Sequence, residues 1–80
     1  EDYGITEKFI CPDQRRVILE RNDAQASLLA GRFRSTLFRV ASELPGIRYR
    51  NEQLTLILRG DVLIMEQQFL RLECLRIEQV

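Results

Sequence analysis

The sequence has no histidine and no tryptophan, and only one lysine, one methionine, two prolines and two cysteines among its 80 residues. Without histidine, no Ser-His-Asp or Cys-His pair and no His-containing zinc site can form. Proton transfer near neutral pH would fall to a carboxylate or tyrosine of shifted acidity. Tyr3, Tyr49 and the scattered Ser and Thr have no base at a readable spacing, so no catalytic residue is assigned and an enzyme is not expected. Cys11 and Cys74 lie far apart with no Cys-x-x-Cys spacing, which excludes a thioredoxin-like motif and a four-cysteine zinc site. Gly4, Gly31, Gly46 and Gly60 form neither a Gly-x-Gly nor a Walker pattern, so no phosphate-cradling loop is written here. No metal or cofactor is expected.

Charge of one sign is also lacking. Twelve basic residues balance twelve acidic ones, leaving no excess positive charge to hold a polyanion by counterion release, so nucleic acid is not an expected partner. No apolar run approaches the ~20 residues that span a bilayer as a helix; the longest is Val62 to Met65. Any membrane anchor is expected upstream, because the chain opens on Glu1-Asp2-Tyr3 and reads as a fragment of a longer protein.

What is present is ordinary globular usage: 45% apolar residues, twelve Leu and seven Ile among them, enough for one small domain. Residues 1–14 mix Gly, Pro and acids with isolated apolar positions and read as an N-terminal arm; residues 15–80 read as the domain. Arg15 to Glu20 is short and β-branched and suits a first strand. From an Asn22 or Asp23 cap to Leu44, the positions Ala26, Leu29, Phe33, Leu37, Val40, Ala41 and Leu44 recur at three and four, which predicts a helix ended by Pro45-Gly46. Ile47 to Arg50 and Leu54 to Leu58 alternate around Asn51-Glu52-Gln53 as a β-hairpin, with Leu54, Leu56 and Leu58 on one face. Gly60-Asp61 is expected to cap a second helix from Val62 to about Leu72, with Val62, Met65, Phe69 and Leu72 on its core face. Cys74 to Val80 closes the chain as a strand. The order β-α-β-β-α-β predicts an α+β, ferredoxin-like two-layer sandwich with an antiparallel sheet. There, Cys11 before the first strand faces the end of the last, and Cys74 lies several residues away at ~3.3 Å each. That separation argues against a disulfide and for two free or packed thiols.

Surface features then sort by chemistry. Arg48 and Arg50 share one side of a strand with Arg32, Arg34 and Arg39 on the preceding helix. The hairpin lacks the aromatics an RNA-binding sheet needs, so these read as a solvated face and a charged edge strand. Glu66 and Glu73 read as solvated surface. The anomaly is Phe38, which at roughly 100° per residue falls ~130° from the core stripe of the first helix. Around this water-facing aromatic lie Gly31, Arg34, Ser35 and Ser42, a composition of small and Arg residues that suits a partner-binding surface. A Phe covered by the arm through Phe9 or Ile10 is the alternative.

Phe9, then Pro12-Asp13-Gln14-Arg15-Arg16-Val17, a helix closing on Ala41-Ser42-Glu43-Leu44-Pro45, and the hairpin Ile47-Arg48-Tyr49-Arg50-Asn51-Glu52-Gln53-Leu54-Thr55-Leu56 resemble a known arrangement. It is the C-terminal periplasmic domain of the L-type inner-membrane platform protein of bacterial type II secretion systems, related to fimbrial-assembly proteins of type IV pili. The resemblance implies a ferredoxin-like scaffold domain in the periplasm, attached to the inner membrane only through an upstream transmembrane helix. It also implies homodimers and heterodimers with the M-type platform protein, and no catalytic residues. A ring-building domain of another secretion machine, and a small-ligand or RNA-binding regulatory module of the same fold, are the alternative readings.

Overall fold

The computed structural model describes residues 4–79, and side chains to Ile77; residues 1–3 of the expected arm and Val80 of the expected last strand lie outside the described residues. The elements are β1 (Ile5–Ile10), β2 (Arg16–Arg21), β3 (Gln25–Ala30), β4 (Phe33–Val40), β5 (Ile47–Arg50), β6 (Thr55–Arg59), β7 (Val62–Gln67) and β8 (Leu70–Gln79). Each strand pairs antiparallel with the next, and β8 returns to β1, giving a closed barrel in plain sequence order. The ferredoxin-like α+β sandwich is therefore wrong: there is no helix among the described residues, and the segment read as an arm carries β1.

The first expected helix is a hairpin, β3 and β4. Its periodicity of three and four was real, but the same residues also alternate: Ala26, Leu28 and Ala30 on β3, and Phe33, Ser35 and Leu37 on β4, lie on one side. Gly31-Arg32 decides between the two patterns. Ala30 pairs with Phe33, leaving a two-residue loop whose first residue, Gly31, has φ 64°. A tight hairpin of the primed type demands that conformation, and glycine adopts it without strain. The second expected helix is the hairpin β7–β8, turning at Gln68-Phe69 between the paired Gln67 and Leu70. Gln68 takes φ 40° there, so no glycine or asparagine announces the turn. Phe69, expected in the core, is fully exposed at its tip.

The hairpin around Asn51 is present as expected. Its Asn51 Oδ1 accepts from Gln53 N at 2.8 Å and Leu54 N at 2.9 Å, and Asn22 Oδ1 holds the β2–β3 turn in the same way through Ala24 N and Gln25 N. Both are side-chain mimics of a backbone turn. Inside the barrel, Phe9, Val17, Leu19, Leu28, Leu37, Leu56 and Leu63 are each at most 2% exposed. Each such side chain contributes about 1.5–3 kcal/mol on burial. Arg34, Arg48, Arg50 and Glu66 stand on the outer wall. Such charges on the outer wall contrast with the apolar band of a barrel that faces lipid.

The cysteines also reverse an expectation. The residue pair Ile10↔Leu75 across β1 and β8 sets Cys11, one position on, opposite Cys74. Their Cα atoms are 4.1 Å apart and the sulfurs are bonded. Cys11 follows β1 instead of preceding the first strand, and β8 begins at Leu70 instead of Cys74, so the two cysteines meet at one level of the β1–β8 seam and are not free thiols.

Candidate functional site

In an up-and-down barrel, alternate turns lie at opposite ends. We call the end with the β1–β2, β3–β4, β5–β6 and β7–β8 turns upper, and the other lower. The five residues expected at a partner surface divide between these ends and between two faces. Gly31 lies in the upper β3–β4 turn. Ser35 points inward with Leu37 and accepts from Asn51 Nδ2 at 2.8 Å. Arg34 and Phe38 share the outer face of β4. Arg34 donates to Ser27 Oγ at 3.2 Å and lies 3.7 Å from Glu20. Ser42 sits in the lower β4–β5 loop, where its Oγ accepts from Leu44 N at 3.1 Å. Arg34 and Phe38 are thus joined on one wall, with the Ser42 loop continuing below them, while Gly31 and Ser35 belong elsewhere.

Phe38 is 56% exposed and is flanked across the sheet by Gln25 on β3 and Arg50 on β5. Leu44, at the tip of the β4–β5 loop, is 61% exposed. The helical pattern assigned Leu44 to the core and Arg50 to an edge strand. Strand alternation from Leu37 would have put Phe38 outward on the same face as Arg50. The loop is anchored by Gly46, whose φ is 97° and where an added Cβ would lie 2.6 Å from Arg59 Cγ and 2.9 Å from the Leu58 carbonyl oxygen. Gly46→Ala is therefore expected to cost about 1–3 kcal/mol through backbone strain alone, and more through the clash. Gly31→Ala, which meets open space, carries only the left-handed term of about 1–2 kcal/mol. Urea titration of both variants checks the order, with Gly46→Ala showing the lower midpoint at an unchanged slope.

The lower interior holds a charged plug. Glu7 is 0% exposed; its Oε1 accepts from Arg21 Nε at 2.7 Å and its Oε2 from Arg76 Nη2 at 2.6 Å. Arg76 Nη1 in turn donates to Asp61 Oδ1 at 2.8 Å, so two cations and two anions alternate. Burial works against the charge on Arg21, but hydrogen bonds to Glu7 and Tyr49 outweigh it and hold the guanidinium above its ordinary pKa. Tyr49 is itself buried and donates to the Asn22 carbonyl at 2.7 Å, and Arg39 lies over its ring at 6.0 Å. With both oxygens engaged, the Glu7 carboxylate ties β1 to β2 and β8.

The upper end is open. A cavity of about 360 Å³ is lined by Val17 and Leu28, by Leu54 beside the β5–β6 turn, by Met65 and Leu72, and by Phe33 and Leu70 at the rim. No group of His, Cys, Asp and Glu among the described residues could hold a metal ion.

Fold and geometry together define an eight-stranded, disulfide-linked up-and-down β-barrel with one outer wall bearing an uncovered aromatic. Compared with known proteins, the chain matches no family model, no curated protein and no solved structure.

Proposed function

We propose that this chain is a non-enzymatic protein-binding domain that works through the outer wall of β4 and the β4–β5 loop, with a second copy of itself as one partner. The observation that carries this reading is Phe38, an aromatic more than half exposed on a strand of a closed barrel. A rigid aromatic with an arginine beside it, here Arg50 across the sheet, is the composition of an interface anchor, because it offers apolar area at low conformational cost and Arg supplies directional donors. Barrel closure removes sheet edges as a route to association, so contact must come through side chains of this kind. The even charge balance favours a self-complementary surface over a strongly acidic or basic partner.

The Cys11–Cys74 disulfide supports a place in an oxidising compartment, the periplasm in a bacterial cell. The M-type platform protein as a partner rests on resemblance to a sandwich that this barrel lacks, and the regulatory and RNA-binding readings rest on that same sandwich.

The test is a dilution series followed by ¹H–¹⁵N NMR. The reading expects concentration-dependent shifts centred on Arg34, Phe38, Ser42 and Arg50, absent in Phe38→Asp, while thermal stability changes by no more than about 0.5 kcal/mol, as for an ordinary surface substitution. Spectra that superimpose from micromolar to millimolar concentration would remove self-association, and shifts centred on another wall would move the interface.

A further inference from the structure

The upper mouth of the barrel is unrelated to the Phe38 wall and has its own chemistry. Below it the interior is filled by Leu19, Leu37, Leu56 and Leu63, each 0% exposed, and by the Glu7 ion pairs with Arg21 and Arg76, so the barrel is a cup and not a channel. Its upper cavity of about 360 Å³ is more than twice the ~150 Å³ of a dry protein cavity that accepts benzene, and it falls at the small end of ligand pockets, which start near 300 Å³. Two features keep it open. Ala30 is a short side chain at a lining position, cross-strand from Phe33. Phe33 and Leu70, 45% and 54% exposed, stand at the rim and do not close over the mouth.

Two charged residues line the cavity, Asp13 and Arg15, and they engage each other: the Arg15 backbone N–H donates to Asp13 Oδ1 at 3.0 Å and its guanidinium lies 3.7 Å from Asp13 Oδ2. The mouth therefore presents no net charge to a ligand. Met65, partly buried in the side wall, is a flexible and polarizable side chain that adapts to irregular shapes. Gln67 adds one amide to the lining.

From these observations we infer that the upper mouth is a binding site for a small, uncharged, predominantly apolar molecule of two or three fused or linked rings. Such a ligand replaces water against Phe33, Leu70 and Leu72, rests on Met65, and leaves any carbonyl or hydroxyl it carries at the level of Gln67. A charged ligand would separate Arg15 from Asp13 or lose hydration with no partner in return.

The probe is N-phenylnaphthylamine, a neutral apolar fluorophore of this size, titrated into the intact disulfide-linked protein. Saturable one-to-one enhancement with a micromolar Kd is expected, together with amide shifts confined to Ala30, Phe33, Met65 and Leu72. Anilinonaphthalene sulfonate, its anionic relative, should bind at least tenfold more weakly. Ala30→Phe fills the cavity and should weaken the neutral probe at least tenfold; Ala30→Leu, the milder change, should do so partially while thermal unfolding remains cooperative. Absence of saturable binding to the wild type, shifts centred outside the mouth, or a preference for the anionic dye would each overturn the assignment.

Discussion

Reducing the Cys11–Cys74 disulfide is expected to lower the unfolding temperature by roughly 15–30 °C, on the 4–8 °C per kcal/mol that applies to a domain of this size. The bond joins residues 63 apart in sequence. On the chain-entropy account, a closed loop of that length constrains the unfolded state by about 4 kcal/mol. Domains of this size have total stabilities of about 4–12 kcal/mol at 0.05–0.15 kcal/mol per residue, so this one bond accounts for a third or more of the margin. Its position adds to the effect, because β1 and β8 meet at the seam that closes the barrel, where the pairing shifts register between Lys8 and Phe9. Calorimetry of the oxidised protein beside the Cys11→Ser, Cys74→Ser double variant checks this. A difference of only a few degrees would mean that the seam holds without its covalent link.

Glu7→Ala is the second large effect. Removing one partner from a buried ion pair leaves charge without compensation, which typically costs about 3–5 kcal/mol. Here two guanidinium groups lose their shared acceptor. Among the described residues Arg21 would have no remaining carboxylate, while Arg76 would keep Asp61. Glu7→Gln retains the shape and one acceptor oxygen and should be the milder change. Replacing Glu7, Arg21 and Arg76 together by Leu, Met and Met should recover much of the loss, since a buried ionic cluster is often no more stabilising than packed apolar side chains. Denaturant unfolding of the four proteins separates these outcomes; a Glu7→Ala variant within about 1 kcal/mol of wild type would show that water reaches the plug and rehydrates the arginines.

These two sites also explain what could be read from the amino-acid order and what could not. The hairpin from Ile47 to Arg59 was legible because its strands alternate around an Asn-bearing turn that acts locally. The segment from Asp23 to Leu44 carries helical and strand periods at once, and only the backbone conformation at Gly31 separates them. The β7–β8 turn uses Gln68, which carries no turn signal. Apolar residues on both faces blurred the period further: Ile57 and Ile64 are buried, yet they stand outward between Arg48 and Glu73 in one cross-strand row. Strand β1 was hidden because its central inward residue is Glu7, a carboxylate at a core position whose partners lie 14 and 69 residues away. The exposure of Phe38 is legible under either pattern, because it lies opposite the core on a strand as it would on a helix. Leu44 and Arg50 were not placed beside that wall, because their neighbours depend on the β4–β5 pairing.

The central claim is that the wall bearing Phe38 is the working surface. Sedimentation equilibrium over a broad concentration range, wild type beside Phe38→Asp, tests it most directly, with circular dichroism verifying that both have β-rich spectra. The account predicts a reversible wild-type dimer that the folded variant loses. A wild type that stays monomeric throughout, or a variant that dimerises as well as wild type, would contradict it.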